Sequence, residues 1–194
     1  MPEKNPISAL ILAAGNSERM GRDKASLPYG NGLSFAGQLI SVYNHSGCSP
    51  VTMVVNERFD TTLYDPAMVR FILNNQVERG RSFSIWLGLQ NTPAGHSCFI
   101  QNIDNPCADA VLLREMRNAI RPEIYVVPMF GGRGGHPVLL GSRVADELQK
   151  KSDVPNLRDA LQEFVRLEVS SSDDRIHLNI NTPDAYRNFI DHSQ

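Results

Sequence analysis

A short apolar run near the N-terminus limits the fold more than any other feature of this sequence. Residues 8–12 read Ser-Ala-Leu-Ile-Leu, and Ala13, Ala14 and Gly15 follow at once. A half-exposed strand alternates polar and apolar residues, whereas a near-continuous apolar strand is typical of a parallel sheet covered on both faces. The run from Ile7 to Ala14 is too short to cross a bilayer. We therefore predict a buried strand from Ile7 to Ala13.

Strand-like and helix-like segments alternate along the rest of the chain. The predicted strands are Ser8 to Leu12, Val51 to Val55, Arg70 to Leu73, Ser97 to Gln101, Glu123 to Val127, Pro137 to Leu140 and Ile176 to Ile180. The predicted helices are Phe35 to Tyr43, Ser82 to Leu89, Ala110 to Ala119, Arg143 to Lys150, Leu157 to Phe164 and Pro183 to Ile190, the last with Thr182 as its N-cap. This alternation predicts an α/β fold, a three-layer sandwich around a mainly parallel mixed sheet.

Length and composition favour one ordinary globular unit. With 194 residues, 41% hydrophobic residues and a net charge of -2, the chain is predicted to form a single domain over residues 1–194, with no nucleic-acid or membrane partner. The glycine-rich segment 130–135 is predicted to be a loop within that domain. No secretory signal is recognised, so a cytoplasmic location is expected. The three cysteines, at positions 48, 98 and 107, have no metal-binding spacing and are expected to be buried thiols.

The loop after the first strand carries the clearest chemical signal. Its small residues let a ligand approach the backbone, and successive amides in such a turn can hold an anion. Arg19 and Lys24 add a forked guanidinium and a mobile ammonium, both suited to phosphate oxygens. The glycine spacing fits neither a P-loop nor a dinucleotide fingerprint. From the residues alone, phosphate binding competes with a strand-to-helix turn that carries two solvated basic side chains.

The segment Leu12 to Lys24 resembles the opening signature of the MobA/MocA-like nucleotidyltransferases, a leucine-alanine-alanine-glycine loop followed by serine, arginine, methionine, glycine and lysine. The resemblance implies a Rossmann-like nucleotidyltransferase fold. It implies that Gly15 and Arg19 hold a triphosphate and that Lys24 bridges toward the reacting phosphates. Leu12, Ala13, Ala14 and Ser17 complete the implied nucleotide loop. The alanine at position 14 is similar to the MocA type and favours CTP over GTP.

A second nucleotide loop is implied by the segment from Asn74 to Ile85. It retains the asparagine, glycine and serine of the family pattern at Asn74, Gly80 and Ser84. It departs from that pattern with Asn75 in place of proline and Val77 in place of an aromatic residue. On the residues alone, a serine at this helix start could equally be only an N-cap.

The resemblance implies a metal site for Mg²⁺, with Mn²⁺ as a substitute. Asp104 occupies the position of the family's metal-binding aspartate, although it could instead cap the helix that starts near Asp109. The family's C-terminal pair of aspartates is replaced here by Asn179 and Asn181. On a strand both would point to one face, and their carbonyl oxygens could still coordinate a metal with less charge.

The acceptor side is implied by two further segments. Gly135 and His136 match the family's glycine-histidine-proline motif, and the segment from Asp153 to Leu161 is similar to the one in which MocA-type members present Asn156 and Arg158. His136 could donate to an anionic acceptor, and it could also serve as a general base. A histidine before a proline is more often structural.

The resulting prediction is transfer of a nucleoside monophosphate from a nucleoside triphosphate to a phosphate monoester, with release of pyrophosphate. The resemblance implies molybdopterin as the acceptor, and we further expect transient contact with a molybdoenzyme and a monomer or weak dimer. A phosphorylated sugar or alcohol is the enzymatic alternative. A molybdenum-cofactor-binding chaperone that has lost turnover is the non-enzymatic one.

Overall fold

The computed structural model describes residues 6–30, 32–151 and 156–192. Its strands are β1 Ile7–Leu12, β2 Pro28–Gly30, β3 Leu33–Ser34, β4 Val51–Val55, β5 Arg70–Leu73, β6 Ser97–Asn102, β7 Ile124–Phe130, β8 Arg133–Gly134, β9 Val138–Leu140 and β10 Val165–Ser170. Its α-helices are α1 Phe35–His45, α2 Gly80–Leu89, α3 Ala110–Ala119, α4 Ser142–Gln149, α5 Leu157–Ala160 and α6 Pro183–His192.

Within the described residues, the main sheet has the strand order β10-β7-β9-β6-β1-β4-β5, with β8 added beside β7. The contacts of β1 with β4 and β6, of β4 with β5, and of β7 with β10 are parallel. β9 is antiparallel to both of its neighbours, and β8 is antiparallel to β7. The predicted mainly parallel mixed sheet is therefore confirmed.

Helices cover both faces of the sheet, and β1 shows why. Ile7, Ala9 and Ile11 belong to the core formed with α1, α3 and α6, whereas Leu10 and Leu12 belong to the core formed with α2, α4 and α5. Since β1 lies between β4 and β6, all six of its residues are buried. Its five apolar side chains therefore remove apolar surface from water on both faces, and Ser8 is its one buried polar residue. The predicted three-layer arrangement is confirmed.

The C-terminal part of the sheet differs from the prediction. Residues 176–180 do not form a strand: a 3₁₀ helix covers Asp174–His177, and Ile176 and Ile180 are separately buried. The strand in this region is β10, which the sequence did not predict. β10 is an edge strand with mostly exposed side chains, including Arg166 and Glu168, so it lacks the apolar pattern that marks buried strands.

The predicted helices are present with small changes at their ends, apart from Leu157 to Phe164. That segment is divided into the short α5 and a 3₁₀ turn over Leu161–Glu163. Thr182 caps α6 as predicted, since the Ala185 amide donates to its Oγ1 at 3.2 Å. In the part of the chain that the structure describes, none of the helices has the length and apolarity that a bilayer crossing requires.

The glycine-rich segment forms a tight hairpin between β7 and β8. Phe130 pairs with Arg133, and the two residues between them, Gly131 and Gly132, have φ angles of 56° and 75°. Positive φ at both central positions suits a tight hairpin and favours glycine. The cysteines are free thiols; Cys48 and Cys98 are buried and Cys107 is partly buried.

Candidate functional site

A cavity of about 290 Å³ opens where β1 and β6 end. The C-terminal ends of neighbouring parallel strands are the usual place for a ligand in an open α/β sheet. The cavity collects residues from the first loop, the start of α2 and the end of β6. Its lining residues are Leu12, Ala14, Gly15, Lys24, Val77, Gly80, Arg81, Ser84, Asn102, Ile103 and Asp104.

Lys24 is the cation at the inner end of this cavity. Its side chain is only 14% exposed; Nζ donates to Asn181 Oδ1 at 2.5 Å and lies 4.0 Å from Asp104 Oδ2. Burial lowers the pKa of Lys24, the Asp104 carboxylate partly offsets this, and the charge of Arg19 lowers the pKa further. Buried Ala25 and Leu27 follow directly and anchor this end of the loop in the core. An ammonium held in this way can contact a phosphate without first losing much side-chain freedom.

Asp104 points to the lysine and does not cap a helix. The capping alternative is excluded because Asp109 itself accepts from the Val111 and Leu112 amides at 2.8 and 2.9 Å, at the start of α3. The backbone oxygen of Asp104 also accepts from the Ile180 amide at 2.8 Å. This backbone hydrogen bond brings the C-terminal segment, with its two asparagines, beside the carboxylate.

Asn179 and Asn181 meet at the site although they are not on a strand. Asn181 Nδ2 donates to Asn179 Oδ1, and Asn181 Oδ1 accepts from Lys24. The predicted alternation along a strand was wrong, because residues 178–182 have an irregular backbone fixed at Ile180 and Thr182. Hydrogen bonds, and not strand geometry, bring the two amides together.

The oxygens around Lys24 fit a hard divalent cation that arrives with phosphate ligands. Asp104 supplies one carboxylate and Asn181 a neutral oxygen close to it, and both already face an ammonium charge. Mg²⁺ commonly takes one or two protein carboxylates and completes its shell with water and phosphate oxygens. Across the described residues no group of three or more His, Cys, Asp or Glu side chains could hold a metal alone. The donor set therefore suits a cation shared with a nucleotide.

The first loop presents its backbone to the cavity. Ala13 and Ala14 are buried, and nothing lies within 4 Å of the place where a side chain on Gly15 would begin. Asn56, just after β4, holds the loop because its Nδ2 donates to the Ala14 oxygen at 3.1 Å. The sequence prediction did not include Asn56; an asparagine directly after a buried strand was the available signal. Arg19 is exposed and does not line the cavity.

Ser17 has a positive φ of 53° in the same loop, the one such non-glycine residue among those that the structure describes. Its Oγ accepts weakly from the Lys24 amide at 3.4 Å, which links the middle of the loop to the lysine. A non-glycine residue in this backbone region is uncommon. Ser17 therefore contributes to the shape of the loop, although it does not line the cavity.

A buried hydrogen bond joins the start of the second loop to α2. Asn74 Nδ2 donates to Ser84 Oγ at 2.9 Å, while Asn74 Oδ1 accepts from the Gln76 amide at 2.8 Å. α2 begins at Gly80, four residues before Ser84, so Ser84 is not an N-cap. Asn74 is buried behind the cavity, and Ser84 and Gly80 line it. Gly80 has a φ of 80°, a backbone conformation that favours glycine.

Arg81 is a lining residue that the sequence prediction missed. It is exposed and follows Gly80 at the start of α2. Burial of the guanidinium lowers the pKa of Arg81, the Asp104 carboxylate partly offsets this, and the Arg81 charge adds to the lowering of the pKa of His136 by burial. A basic residue at a helix start is usually interpreted as solvated, and only the packing of α2 against β1 and β4 brings Arg81 to the cavity.

His136 stands behind the cavity wall and not in it. Its amide donates to the Ile176 oxygen at 2.9 Å, and Asn102 Nδ2 donates to its Nε2 at 3.0 Å. Burial lowers the pKa of His136 to about 4, and the Arg81 charge adds to this effect, so the imidazole is neutral at pH 7. Its Nδ1 is buried and has no hydrogen-bond partner among the described residues. A side chain on Gly135 would begin 2.5 Å from the Ile176 oxygen.

Asn156 and Arg158 lie outside the group of residues around the cavity. Asn156 caps α5 by accepting from the Asp159 amide at 2.9 Å, and both residues are exposed outside the cavity lining. The preceding residues of that segment, 152–155, fall outside the described ranges. A role for Asn156 and Arg158 in acceptor binding stays a prediction.

Comparison with known proteins gives one family match and several structural matches. Residues 9–169 match the MobA-like NTP transferase domain. The chain is 25% identical over 190 residues to the molybdenum cofactor cytidylyltransferase of Escherichia coli (strain K12), covering 93% of each protein. The range 9–169 that matches the family includes the first loop, the second loop and Asp104.

The structural matches extend over nearly the whole chain. Rv0371c of Mycobacterium tuberculosis H37Rv has a TM-score of 0.83 and 20% identity, covering 96% of this chain and 98% of that one. The same protein has been solved in complex with manganese, at a TM-score of 0.76 and 18% identity, with the same coverage. A nucleotidyl transferase from Methanothermobacter thermautotroptrophicus has a TM-score of 0.79 and 22% identity, covering 97% of each chain. At these identities, the likeness shows the fold.

Proposed function

The chain belongs to the MobA-like NTP transferase domain family and is a nucleotidyltransferase, and on this premise we propose that it transfers cytidine monophosphate from CTP to the phosphate monoester of molybdopterin. The observation that carries the proposal is the meeting of Lys24, Asp104 and the Gly15 backbone in one cavity. Similarity over 93% of the chain to a molybdenum cofactor cytidylyltransferase supports the choice of donor and acceptor.

The nucleotide would lie across the first loop and the start of α2. Ala14 and Gly15 expose backbone on one side of the cavity, and Gly80 and Ser84 line the other. Arg19, exposed on the loop, would contact the outer phosphates, and the partly buried Lys24 would contact the inner ones. Leu12 and Val77 add apolar lining between them. This order places the reacting phosphate near Lys24 and Asp104.

The reaction needs alignment and charge neutralisation more than it needs a base. An acceptor phosphate oxygen attacks the α-phosphorus, the bond from that phosphorus to the bridging oxygen breaks, and pyrophosphate leaves with the electron pair. A phosphate monoester is already anionic at neutral pH, so no strong base is required. Lys24 would stabilise the charge that develops at the α-phosphate, and the loop amides and Arg19 that on the leaving group.

Asp104 and Asn181, with Asn179 behind them, are the residues that would hold a divalent cation at this site. Mg²⁺, or Mn²⁺ in its place, would draw charge from the phosphate oxygens when bound. With one carboxylate and neutral amides, the protein residues bind free metal weakly, so the cation would arrive as the metal-nucleotide complex. The manganese complex of the structurally similar Rv0371c is in keeping with a divalent ion in this fold.

The test is pyrophosphate release with purified protein, Mg²⁺ and molybdopterin, with CTP and GTP compared in parallel. We expect release with CTP to exceed that with GTP at least about tenfold, since a site built to hydrogen-bond one base rejects another. Release with GTP alone would contradict the cytidine preference. Release only with a phosphorylated sugar or alcohol would contradict the acceptor but keep the nucleotidyl transfer.

A cofactor-binding chaperone is the second candidate, and the asparagines at 179 and 181 favour it because they carry no charge for a metal. The same assay separates the two functions. Tight binding of molybdopterin cytosine dinucleotide without pyrophosphate release from any acceptor would favour the chaperone. Turnover that rises with Mg²⁺ concentration would exclude it.

A further inference from the structure

β10 is one end of the main sheet and is open to a further strand. Within the described residues it pairs with β7 on one side only, just as β5 at the other end pairs with β4 alone. An edge strand leaves backbone N–H and C=O groups unpaired and is a template for another chain. β10 also presents two large apolar side chains to solvent, Val165 at 67% and Leu167 at 38% exposure. A second strand beside it would therefore gain hydrogen bonds and cover apolar surface.

The sequence of β10 has a two-fold pattern centred on Leu167. Val165 and Val169 stand at equal separations on either side of it. The positions between them carry opposite charges, Arg166 before the centre and Glu168 after it. Side chains alternate between the two faces of a strand, so the apolar residues share one face and the charged pair shares the other. The 3.1 Å contact between Arg166 Nη2 and Glu168 Oε1 agrees with this.

The end of β10 shows which of its backbone groups face away from the sheet. The Ser171 amide donates to the Met129 oxygen at 2.8 Å, so it points toward β7. Backbone groups alternate in direction along a strand, and residues 165, 167 and 169 therefore point toward β7 as well. The amide and carbonyl of Arg166 and of Glu168 point outward. The charged residues thus supply the backbone groups that a further strand would meet.

Two copies of this chain related by a two-fold axis would pair their β10 strands in antiparallel orientation. With the axis at Leu167, Arg166 lies opposite Glu168 of the second copy, and Glu168 lies opposite its Arg166. Opposite charges in directly opposed positions stabilise a pair of strands, and like charges destabilise it. An axis at Arg166 or at Glu168 would place two arginines or two glutamates face to face, and a parallel in-register pair would do both. The charges therefore select the antiparallel register centred on Leu167.

We propose that β10 is a homodimer interface at which two copies join their sheets about Leu167. Arg166 and Glu168 exchange backbone hydrogen bonds with their counterparts and form two reciprocal charge pairs. Leu167 meets its counterpart in a non-hydrogen-bonded pair, in which opposed side chains are closest, and Val165 meets Val169. The contact is small, so the dimer is weak and forms at micromolar concentrations.

β5, the other end of the described sheet, lacks this complementarity. It reads Arg-Phe-Ile-Leu over residues 70–73 and so carries one charge without an opposite one. An antiparallel pair of β5 strands could therefore form no reciprocal charge pairs. Phe71 is moreover occupied within the chain, with its ring centre 5.4 Å from that of Phe59 and 5.8 Å from that of Tyr64. β10 is the end that suits a second copy.

The first test follows association of the full-length protein by sedimentation velocity at increasing concentration. We expect the natural protein to be half dimeric at about 10 to 100 µM, a typical strength for a small interface. R166E and E168R each place like charges opposite one another twice, so each should weaken the dimer at least about tenfold. The double variant R166E/E168R restores opposite charges and should return to within about threefold of the natural protein.

A mixture of the two single variants separates charge pairing from damage to the fold. In a dimer of one R166E chain and one E168R chain, the opposed positions carry opposite charges again. The equimolar mixture should therefore associate at concentrations at which each variant alone is monomeric. Thermal unfolding of each variant checks that the fold is kept.

The second test probes the register through L167C. The opposed α-carbons of a non-hydrogen-bonded pair are about 4.5 Å apart, within the range that a disulfide spans. Oxidised glutathione should therefore convert L167C into a covalent dimer on a non-reducing gel. L63C is the control, because Leu63 is 71% exposed and lies outside β10. L63C and the natural protein should stay monomeric on the same gel.

Each part of the proposal can fail separately. A natural protein that stays monomeric up to about 1 mM, or a dimer that neither charge reversal weakens, would overturn the interface. Loss of the dimer without recovery in the double variant and in the mixture would overturn the pairing of Arg166 with Glu168. No covalent dimer from L167C would overturn the register. All of these outcomes leave the proposed nucleotidyl transfer in place, since β10 does not line the cavity.

Discussion

The two sides of the cavity differ in how they hold their cation. The lysine side, formed by Gly15, Lys24 and Asp104 with Asn181, holds a partly buried cation against a carboxylate and an amide. The arginine side, formed by Arg81, Ser84 and Asn102 with His136 behind them, has neutral buried hydrogen bonds and one exposed cation. The contrast teaches that a hydrogen bond and an ion pair hold the cation where reacting phosphates are proposed to lie, whereas the arginine side joins neutral groups to one another and leaves its cation exposed.

The difference between the two sides has an electrostatic reason. Burying an unpaired charge is costly, and the partly buried Lys24 has Asp104 and Asn181 as its partners. His136 is buried without an acid beside it and is therefore neutral, with its pKa lowered to about 4. Each of the following experiments changes one side and leaves the other in place.

The largest effect is expected for Lys24→Ala on the lysine side. Removing the partly buried ammonium should lower kcat about a hundred- to a thousandfold, the usual loss for one preorganised electrostatic group. Pyrophosphate release at saturating CTP measures this. The control is Lys150→Ala, because Lys150 is exposed in a pair with Glu147 on α4. Turnover of Lys24→Ala within threefold of the natural protein would remove Lys24 from the reaction.

The next effect concerns His136 and the pH dependence of stability. Its pKa is about 4 in the folded protein against an ordinary value of 6.5, so the unfolded chain binds more protons between these values. The free energy of unfolding should therefore be highest above about pH 6.5, where His136 costs no stability. It should fall by up to about 3 kcal/mol as the pH drops toward 4. Urea unfolding of His136→Gln should show a flatter pH dependence.

The matched control for that experiment is His45→Gln, since His45 is exposed on α1. This control should follow the natural protein across the whole pH range. Equal slopes for His136→Gln and the natural protein would show that the arginine side does not depend on a neutral imidazole.

A smaller effect is expected for Asn181→Asp, which returns one carboxylate to the lysine side. The added charge lies next to Asp104, so half-saturation by Mg²⁺ should need about tenfold less metal. Mn²⁺ binding followed by electron paramagnetic resonance gives a second measure without turnover. Asn188→Asp makes the same charge change on an exposed face of α6 and should have no effect. Unchanged metal affinity in Asn181→Asp would separate this side chain from the cation.

The smallest effect is expected from the hydrogen bond between Asn74 and Ser84 on the arginine side. Because both groups are buried, Ser84→Ala should lower the free energy of unfolding by about 1 kcal/mol. A double-mutant cycle with Asn74→Ala should show coupling of similar size. Strictly additive losses would mean that the bond does not link the second loop to α2.

The sequence was most informative where burial alone decides structure. The apolar run of β1 predicted a central strand, and the structure places it between two parallel neighbours. Asp104 follows β6, another buried strand, and it lies beside Lys24. Buried strands show a strong pattern because every position contacts the core. Their C-terminal ends could therefore be predicted together with the residues that follow them.

The errors lie where exposure or irregular backbone decides. β10 was missed because an edge strand can carry charged side chains, and Ile176 with Ile180 imitated a strand although each fills the core separately. Arg81 was missed because a basic residue at a helix start has the same local pattern whether it meets water or a cavity. The acceptor role that the resemblance implies for Asn156 and Arg158 stays a prediction; both residues lie outside the cavity lining, at the start of α5.

The sequence by itself determined the layered α/β fold, the phosphate-suited first loop and the residue types of the candidate site. Only the tertiary structure decided which of these residues meet: the Ile180 amide on Asp104, Asn181 on Lys24, and Asn102 on His136. The physical reason is the separation along the chain between the residues that determine each feature. Strand burial and loop composition are recorded in neighbouring residues, whereas contacts between segments 80 or 157 positions apart depend on how the sheet orders its strands.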